Sequence, residues 1–362
     1  MVSVVMSVLN GERFLPEAVE SILFQSFCDF EFVIIDDGSI DKSGSMLDAY
    51  QGADPRVRVY HQENKGLVDA LNRGCGLARG KYIARMDADD IAVADRLSWQ
   101  VDFMERHSEV AVLGGAVEFI DQNGKILGIA PHPLHNREIQ RVLLDRTFLW
   151  HPSVLIRKAA LTAVGGYRNV THAEDYDLWL RIAERFQLAN LETVLLKYRI
   201  HPGQVSVTRC QKQAFGAAAA QAAALARKNG KPDPLDSVSE ITPALLTRLG
   251  VSVAIQHTML ARGYLASVRN MCDAGEYALA LRMLETIFQS SEIRYAEMWT
   301  IADLRLCAAR AHWHKRRFAR SALIAVHAVI TRPVILGRPL KPLLNRDRLA
   351  DVIADCLKKR PA

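Results

Sequence analysis

Strand-like and helix-like segments alternate through the first 110 residues, and this rhythm constrains the fold more than any other feature of the sequence. Apolar runs typical of buried strands occupy residues 2–8, 31–35, 57–60 and 82–86. Helix-like patterns separate these runs and occupy residues 14–24, 41–50 and 67–78. Alternating strands and helices predict an α/β domain built on a mostly parallel sheet with helices on both faces.

Polar clusters follow three of the predicted strands, at the point where each strand ends. They are Asn10-Gly11-Glu12, Asp36-Asp37-Gly38-Ser39, and the acidic stretch from Asp87 to Asp90. Ligands of parallel α/β sheets bind at the carboxyl ends of the strands. We therefore expect the three clusters to lie at one edge of the sheet and to form one site.

The stretch YIARMDADDIAVADRL, residues 82–97, runs from an apolar strand directly into Asp87, Asp89 and Asp90. Like charges this close oppose each other's ionisation unless a positive group lies among them. Mg²⁺ and similar ions bind carboxylate oxygens and often share them with substrate phosphates, so one interpretation is a metal site. The alternative is a solvated loop in which one Asp caps the following helix.

Three further groups of residues have both a structural and a functional interpretation. Asp36 and Asp37 suit either a capped strand–turn–helix connection or hydrogen bonds to a base or ribose. Glu174 and Asp175 open a helix-like segment, where carboxylates favour the helix dipole, but a carboxylate there would also serve as a general base. His201 follows a late strand and is either structural or a further metal ligand.

The pattern changes twice along the rest of the chain. A hairpin with an Asn123-Gly124 turn is followed by a predicted strand at 153–158, a helix at 175–186 and a strand at 193–200. After about residue 205 the pattern is helical, beginning with an Ala-rich helix that ends at Gly230. Segments that begin at Gly275 and Arg316 align at a spacing of 41 residues. They predict tetratricopeptide-like hairpins, or else unrelated amphipathic helices.

Length and charge indicate two parts with different roles. A chain of 362 residues exceeds one ordinary domain. Its net charge of +6 divides into −6 through residue 208 and +12 from residue 209 onward. The basic part is suited to a phosphate-bearing partner or an anionic membrane surface, although basic faces are also commonly only solvated.

Cysteine spacing and hydropathy indicate the compartment. The six cysteines lie far apart and form no CxxC pair, which argues against a zinc knot or a disulfide framework and fits a reducing cytoplasm. The opening strand lacks the charged segment and cleavage site of a signal peptide. No run of about 18 uncharged apolar residues exists, so we expect no membrane-spanning helix.

Long stretches of the chain resemble the family-2 glycosyltransferases of the GT-A fold. These stretches are VSVVMSVLNGERFLPEAVESILFQSFCDFEFVIIDDGSID, NKGLVDALNRGCGLARGKYIARMDADDIAVADRLSWQ, and HPSVLIRKAAL with the later GGYR, AEDYDLWLRI and LLKYRIHPGQVS. The resemblance covers residues 1–206 in unbroken order and implies a Rossmann-like mixed sheet of GT-A type there. Residues 207–362 lie outside it and are predicted to form an all-α domain.

The resemblance also implies a nucleotide-sugar pocket at the strand ends. Its lining residues would be Ser7, Leu9, Asn10, Glu12, Asp36, Asp37, Lys65 and Asp87. Asp37 would bind the base edge, and Lys65 would lie near the diphosphate. Many relatives carry an aromatic residue where this chain has Leu9, so the identity of the base stays open.

The implied metal ligands and catalytic groups are mainly carboxylates. Asp89, with Asp87, would form the DxD motif that holds Mg²⁺ or Mn²⁺, and His201 matches a histidine often found near the metal or diphosphate. Asp175, in the Glu-Asp pair of the family, would be the catalytic base, with Glu174 assisting. Because only one catalytic carboxylate is needed, single displacement with inversion at the anomeric carbon is expected.

The favoured hypothesis is a metal-dependent inverting glycosyltransferase of bacterial surface polysaccharide biosynthesis. Its partners would be a nucleoside-diphosphate sugar, expected to be a UDP-sugar, and a glycan or polyprenyl-linked acceptor, with no nucleic acid. The basic helical part would hold the inner face of the membrane, a second copy of the chain, or the acceptor.

Two alternatives belong to other classes. A sugar-nucleotide pyrophosphorylase would need a Gly-rich basic loop where this chain has LNGERFL. A helical adaptor with a degenerate transferase domain would have lost the DxD motif or the Glu-Asp pair, and this chain retains both.

Overall fold

The structure is a computed structural model that describes residues 1–130, 132–170, 172–201, 203–204, 209–236, 238 and 240–331. The chain separates into two compact units. The first contains residues 1–199 and 219–240, and the second contains residues 200–218 and those from 241 onward. The predicted domain boundary between residues 206 and 207 stays a prediction, and residues 219–240 group with the first unit.

A nine-stranded mixed sheet organises the first unit. Its strands are β1 (Val2–Val8), β2 (Phe30–Asp36), β3 (Val57–His61), β4 (Tyr82–Met86), β5 (Ile91–Ala92), β6 (Val110–Ile120), β7 (Ile126–Ile129), β8 (Leu155–Arg157) and β9 (Gln187–Arg199). The strand order is β3-β2-β1-β4-β8-β6-β9-β5, and β7 pairs with β6. The first four strands in this order are parallel, whereas β8 runs antiparallel to both β4 and β6.

Helices cover both faces of the parallel strands, as the alternating pattern predicts. The helices of this unit before residue 200 are α1 (Leu15–Leu23), α2 (Ser43–Ala53), α3 (Leu67–Leu77), α4 (Arg96–Arg106), α5 (Asn136–Leu143), α6 (Lys158–Ala163) and α7 (Glu174–Ala183). Phe32 and Ile34 of β2 share a hydrophobic cluster with Leu15 of α1. The intervening Val33 and Ile35 pack instead against α3, because successive side chains of a strand point to opposite faces.

Strand register brings the predicted polar clusters together. Val8 is paired with Asp36, and Met6 is paired with Met86. The carboxyl ends of β1, β2 and β4 therefore lie side by side. The expectation that the three clusters share one edge of the sheet is confirmed.

Three late strands, β6, β7 and β9, show where sequence patterns predict the structure and where they do not. The predicted hairpin is formed by β6 and β7, and Gly124 in its turn has φ 83°, a conformation that glycine adopts without strain. The predicted start of β9 at residue 193 is wrong, because the strand begins at Gln187. Asn190 interrupts the apolar pattern there, but it is buried and donates to the carbonyl oxygen of Pro133 at 2.8 Å.

The described residues after 209 are mainly helical, as predicted. The helices are α8 (Cys210–Lys228), α9 (Pro243–Arg248), α10 (Val253–Asp273), α11 (Tyr277–Gln289), α12 (Met298–His314) and α13 (Phe318–Thr331). The helices α10, α11 and α12 share a hydrophobic cluster of their own, and α13 packs on α12. The two similar segments are α11 and α13, and their tetratricopeptide-like character stays a prediction. Among the residues that the structure describes, no helix combines the length and apolar character that crossing a bilayer requires.

Candidate active site

Three carboxylates converge immediately after β4. Asp87, Asp89 and Asp90 each offer an oxygen, and these oxygens lie within 4.8 Å of one another. Asp90 is buried, and its Oδ2 atom has no hydrogen-bond partner among the described residues. Burial and the neighbouring charges of Asp89 and Asp87 hold the pKa of Asp90 well above its usual range. A partly buried carboxylate cluster of this kind, with one buried oxygen left unpaired, has the donor set that Mg²⁺ or Mn²⁺ prefers.

Two buried arginines lie next to the acidic cluster, and neither was predicted from the sequence to be a residue of the site. Arg85, only 2% exposed, donates to Asp87 Oδ1 at 2.5 Å and to the carbonyl oxygen of Met86. Arg96 is fully buried and donates to the carbonyl oxygen of Arg85 at 2.8 Å. Burial lowers the pKa of Arg96 to about 9, and the charge of Asp90 opposes this shift. The carboxylates are therefore partly compensated before any cation binds.

The end of β9 fixes the loop that carries the acidic cluster. The backbone N–H of Arg199 donates to Asp90 Oδ1, and its Nε donates to the carbonyl oxygen of Asp89, both at 2.8 Å. The Arg199 guanidinium also pairs with Glu17 of α1 at 2.9 Å. His201 follows β9 but groups with the second unit, and its role as a metal ligand stays a prediction.

The Glu-Asp pair occupies the first turn of α7. Glu174 is buried, and Asp175 Oδ1 accepts the N–H of Tyr176 at 2.7 Å. Burial, with the charge of Asp175, raises the pKa of Glu174 to about 8, and burial raises that of Asp175 to about 6. The charges of Arg85 and Asp87 act on both carboxyls. The structure thus brings the Glu-Asp pair and the acidic cluster into one electrostatic environment around Arg85.

Asp36 and Asp37, at the end of β2, are buried and heavily hydrogen-bonded. The carboxylate of Asp37 accepts the side-chain N–H of Gln62 at 2.7 Å and the backbone N–H groups of Lys65 and Gly66, both at 2.9 Å. Asp36 contacts His61 Nδ1 at 2.8 Å. Asp37 therefore fixes the loop that carries the exposed Lys65. The predicted contacts of Asp37 with the base and of Lys65 with the diphosphate stay predictions.

The loop after β1 is joined to the loop after β2 by hydrogen bonds. Asn10, at φ 54°, donates its backbone N–H to Ser39 Oγ, and its Oδ1 accepts the N–H of Ile40, both at 2.9 Å. Glu12 Oε2 accepts the N–H of Lys42 at 3.0 Å. Asn10 and Glu12 thus shape the edge of the sheet, and their contacts with a nucleotide stay predictions.

The remaining two residues of the predicted pocket, Ser7 and Leu9, lie at the end of β1. Ser7 is the last residue but one of β1, directly before Val8, and its side chain is partly buried. Leu9, directly after the strand, is 47% exposed. An exposed apolar side chain beside three polar loops is available to a flat ligand, and its predicted packing on a base stays a prediction.

Aromatic residues flank the carboxylates and were not singled out from the sequence. The ring of Tyr198 lies 5.4 Å from that of Trp150 and 5.9 Å from that of Phe119. Burial, followed by the charges of Asp90 and Asp87, raises the pKa of Tyr198 well above its usual range. No local pattern marks this group, because its members come from β6, β9 and the segment before β8.

A second buried pair lies beside Arg85. His151 Nε2 is 2.8 Å from the hydroxyl oxygen of Tyr167. Burial and the charge of Arg85 hold the pKa of His151 well below its usual range. The histidine is therefore neutral at physiological pH, and the charges of Glu174 and Asp175 act on its partner Tyr167.

Comparison with known proteins gives one matching family model, and it gives relatives that match more than half of the chain. The model of the family described as glycosyl transferase family 2 matches residues 3–165. An uncharacterized glycosyltransferase of Methanocaldococcus jannaschii is 35% identical over 218 residues, which are 59% of this chain and 75% of that protein. The O-antigen biosynthesis glycosyltransferase WbnJ of Escherichia coli is 33% identical over 205 residues, 56% of this chain and 80% of WbnJ.

Solved structures match over a longer span at lower identity. The structure of residues 1–349 of S. aureus TarS in complex with UDP-GlcNAc has a TM-score of 0.53 at 17% identity, covering 94% of this chain and 93% of that chain. The mannosyltransferase PcManGT of Pyrobaculum calidifontis, in complex with GDP-Man and Mn²⁺, has a TM-score of 0.50 at 17% identity, covering 91% and 86%. At this identity the likeness concerns the fold.

Proposed function

Because the chain belongs to glycosyl transferase family 2, we propose that it is a metal-dependent inverting enzyme that transfers a sugar from a nucleoside diphosphate to a hydroxyl group. The predicted GT-A fold is confirmed by the mixed sheet and by the likeness to TarS and PcManGT. The observation that carries the proposal is the cluster of Asp87, Asp89 and Asp90 after β4, together with the charges of Asp87 and Arg85 that act on both carboxyls of the Glu-Asp pair.

The acidic cluster fits a divalent cation. Asp87 and Asp89 are the proposed ligands, with His201 as a further one, and the unpaired Oδ2 of Asp90 supports a need for positive charge. The Mn²⁺ bound by PcManGT supports the same class of ion. Mg²⁺ or Mn²⁺ bound there would act as a Lewis acid for the departing diphosphate.

The donor is a nucleoside-diphosphate sugar, held at the ends of β1 and β2. TarS binds UDP-GlcNAc and PcManGT binds GDP-Man, and both ligands belong to this class. We favour a UDP-sugar as the donor. Asp37 would bind the edge of the nucleotide base, and Leu9 would pack on the face of the base. Asp36 supports Asp37, and Ser7, Asn10, Glu12 and Lys65 complete the pocket.

Asp175 is the proposed catalytic base. With a pKa of about 6 it is ionised at neutral pH and able to accept the proton of an attacking hydroxyl group. Glu174, with a pKa of about 8, keeps its proton at neutral pH and assists as a hydrogen-bond donor. Because one carboxylate acts on the acceptor and none attacks the sugar, the product should have inverted configuration at the anomeric carbon.

The acceptor is a glycan or a polyprenyl-linked saccharide of surface polysaccharide biosynthesis. The O-antigen relative supports this pathway class. A cytoplasmic location is supported by the free cysteines of the described residues, Cys28, Cys75, Cys210, Cys272 and Cys307. The charge of +12 after residue 208 supports contact with the anionic inner face of the membrane, and a homo-oligomer would use the same helical part.

Calorimetric titration with nucleoside diphosphates, with and without Mn²⁺, tests the proposal. We expect one nucleotide to bind only when metal is present, and Asp89→Ala to abolish this binding. Asp95→Ala is the matched control, because Asp95 is exposed on the same segment and makes no capping hydrogen bond to α4. If no nucleotide binds wild type with metal present, the adaptor hypothesis replaces the transferase. Proton NMR of the product then tests inversion, and a retained anomeric configuration would contradict the single displacement.

A further inference from the structure

A cleft of about 310 Å³ lies within the second unit, between α11, α12 and α13. Its floor is apolar and includes Leu284 of α11, Ala308 of α12 and Ile324 of α13. About 10–15 Å³ of such volume is enough to hold one water molecule, so the cleft has room for a group much larger than a water. This space suits a compact head group with the first carbons of a chain.

A buried histidine at this cleft lacks a hydrogen-bond partner. His312 of α12 lines the cleft and is 3% exposed, and its Nδ1 has no partner among the described residues. Buried polar atoms in native proteins are nearly always paired, so an orphaned one calls for an explanation. A polar ligand atom in the cleft would satisfy it once the imidazole ring turns towards the cleft, because Nδ1 itself is buried.

The charged lining residues favour an anion. Arg305 and Arg320 line the cleft together with one carboxylate, that of Glu285. Arg320 is exposed, and Arg305 is half-buried with one nitrogen donating to Thr331 Oγ1 at 3.0 Å. Each guanidinium carries five N–H donors in a fork that matches phosphate oxygens, so donors remain on both arginines.

The outer face of α13 is apolar and exposed beside a basic turn. Leu323 is 72% exposed and Ile330 is 71% exposed, and Val326 between them lies on the same stripe. The turn before this helix reads Lys315-Arg316-Arg317. An apolar stripe flanked by basic residues is typical of helices that lie in a membrane interface, which indicates a ligand presented at a lipid surface.

We propose that the cleft between α11, α12 and α13 binds a phosphate monoester carried on an apolar chain, as found in polyprenyl phosphates and in phosphatidic acid. The monoester has three terminal oxygens, enough for Arg305, Arg320 and His312 together. The apolar chain leaves over Ile324 towards the exposed stripe of α13. This site does not depend on the transferase assignment, because its test measures binding alone.

Calorimetry on the full-length chain tests this site with three soluble probes below their micellar concentrations. The probes are geranyl phosphate, dihexanoyl phosphatidic acid and inorganic phosphate. We expect at least one of the two amphiphilic monoesters to bind tenfold or more tightly than inorganic phosphate, and the tighter one identifies an isoprenoid or an acyl source. Equal affinity for all three would overturn the proposal, since the apolar floor would then contribute nothing.

Two arginine variants test whether binding depends on the lining of this cleft or only on the positive charge of the helical part. Arg320→Gln should weaken monoester binding at least tenfold, whereas Arg282→Gln, which removes the same charge from an exposed position of α11 outside the cleft, should change it less than twofold. Equal losses in the two variants would overturn the proposal. Arg320 is exposed, so its replacement does not threaten folding.

Filling the cleft without changing its charge gives a second test. Ile324→Trp should abolish monoester binding and leave the chain monodisperse at its wild-type mass in sedimentation. A change from dimer to monomer in this variant would show instead that a second copy occupies the cleft, and this result would overturn the lipid proposal.

Discussion

At the residue scale, the two carboxyls of the Glu-Asp pair differ in the pH at which they lose their protons. Asp175, with a pKa of about 6, must be ionised to act as a base. The transfer rate should therefore fall about tenfold for each pH unit below this value, level off above it, and fall again above about pH 8, where Glu174 loses the proton with which it assists. Because a bound cation favours ionised carboxylates, the acid limb measured with metal lies at or below pH 6. Initial rates across pH 4.5–9 check this profile.

Conservative variants show which carboxyl causes the fall of the transfer rate at low pH, the acid limb of the profile. Asp175→Asn should reduce the rate by about 10²–10⁴-fold, the usual contribution of a general base. Glu174→Gln keeps a neutral side chain where Glu174 is protonated at neutral pH, so it should retain the acid limb. If Asp175→Asn keeps the limb and Glu174→Gln loses it, the roles of the two residues are exchanged.

The carboxylates of the candidate site were predictable from their spacing in the sequence. The arginines that compensate their negative charge were predictable only in part. Asp87 and Asp89 are neighbours in the sequence, and so are Glu174 and Asp175. The sequence contains a weak signal that Arg85 contacts Asp87. Asp87 is two residues further on, and residues two apart on a strand share a face. Arg199 carried no such signal, since it binds the acidic loop from 110 residues away in the sequence. Long-range hydrogen bonds of this kind leave no periodic pattern.

At the element scale, a buried ion network holds the start of α7, which carries the Glu-Asp pair. Asp177 is fully buried and contacts Arg168 at 2.5 Å and Arg181 at 2.8 Å. Removing one partner of a buried pair leaves uncompensated charge and costs ~3–5 kcal/mol. Asp177→Asn should lower the free energy of unfolding by this amount, as measured by urea denaturation followed by circular dichroism.

Asp236→Asn is the matched control, because Asp236 contacts the same Arg168 guanidinium at 3.3 Å but its side chain is 75% exposed. Exposed ion pairs contribute at most about 1 kcal/mol, so this variant should unfold nearly as wild type does. Comparable losses in the two variants would mean that burial does not determine the strength of this network.

The positions of strands were predictable from their apolar residues wherever nearly every residue of the strand is apolar and buried. The strands β1 and β4 have the bounds that were predicted, since nearly every residue in them is apolar and buried. The strand β9 was predicted to begin six residues too late, because its first half carries buried Asn190 and exposed Glu192. The short β5 (Ile91–Ala92) has too few residues for any period to be visible.

At the scale of the whole molecule, the two units have separate hydrophobic cores. The first cluster is built on β1 and β2 and the second on α10, α11 and α12, and none of the buried residues that the structure describes belongs to both. Units with their own cores unfold as separate cooperative steps unless their interface is large and apolar. We therefore expect two transitions in differential scanning calorimetry of the full-length chain.

Each transition should respond to a different perturbation. Mn²⁺ with the matching nucleoside diphosphate at about 100 times its Kd should stabilise only the first unit, by about 2.7 kcal/mol, and Asp89→Ala should remove this shift. Leu304→Ala, at a fully buried position of α12, should destabilise only the second unit, by about 2–5 kcal/mol. A single transition that moves under both perturbations would show that the two cores unfold together. In that case, loss of packing in the helical part would lower the stability of the proposed nucleotide site as well.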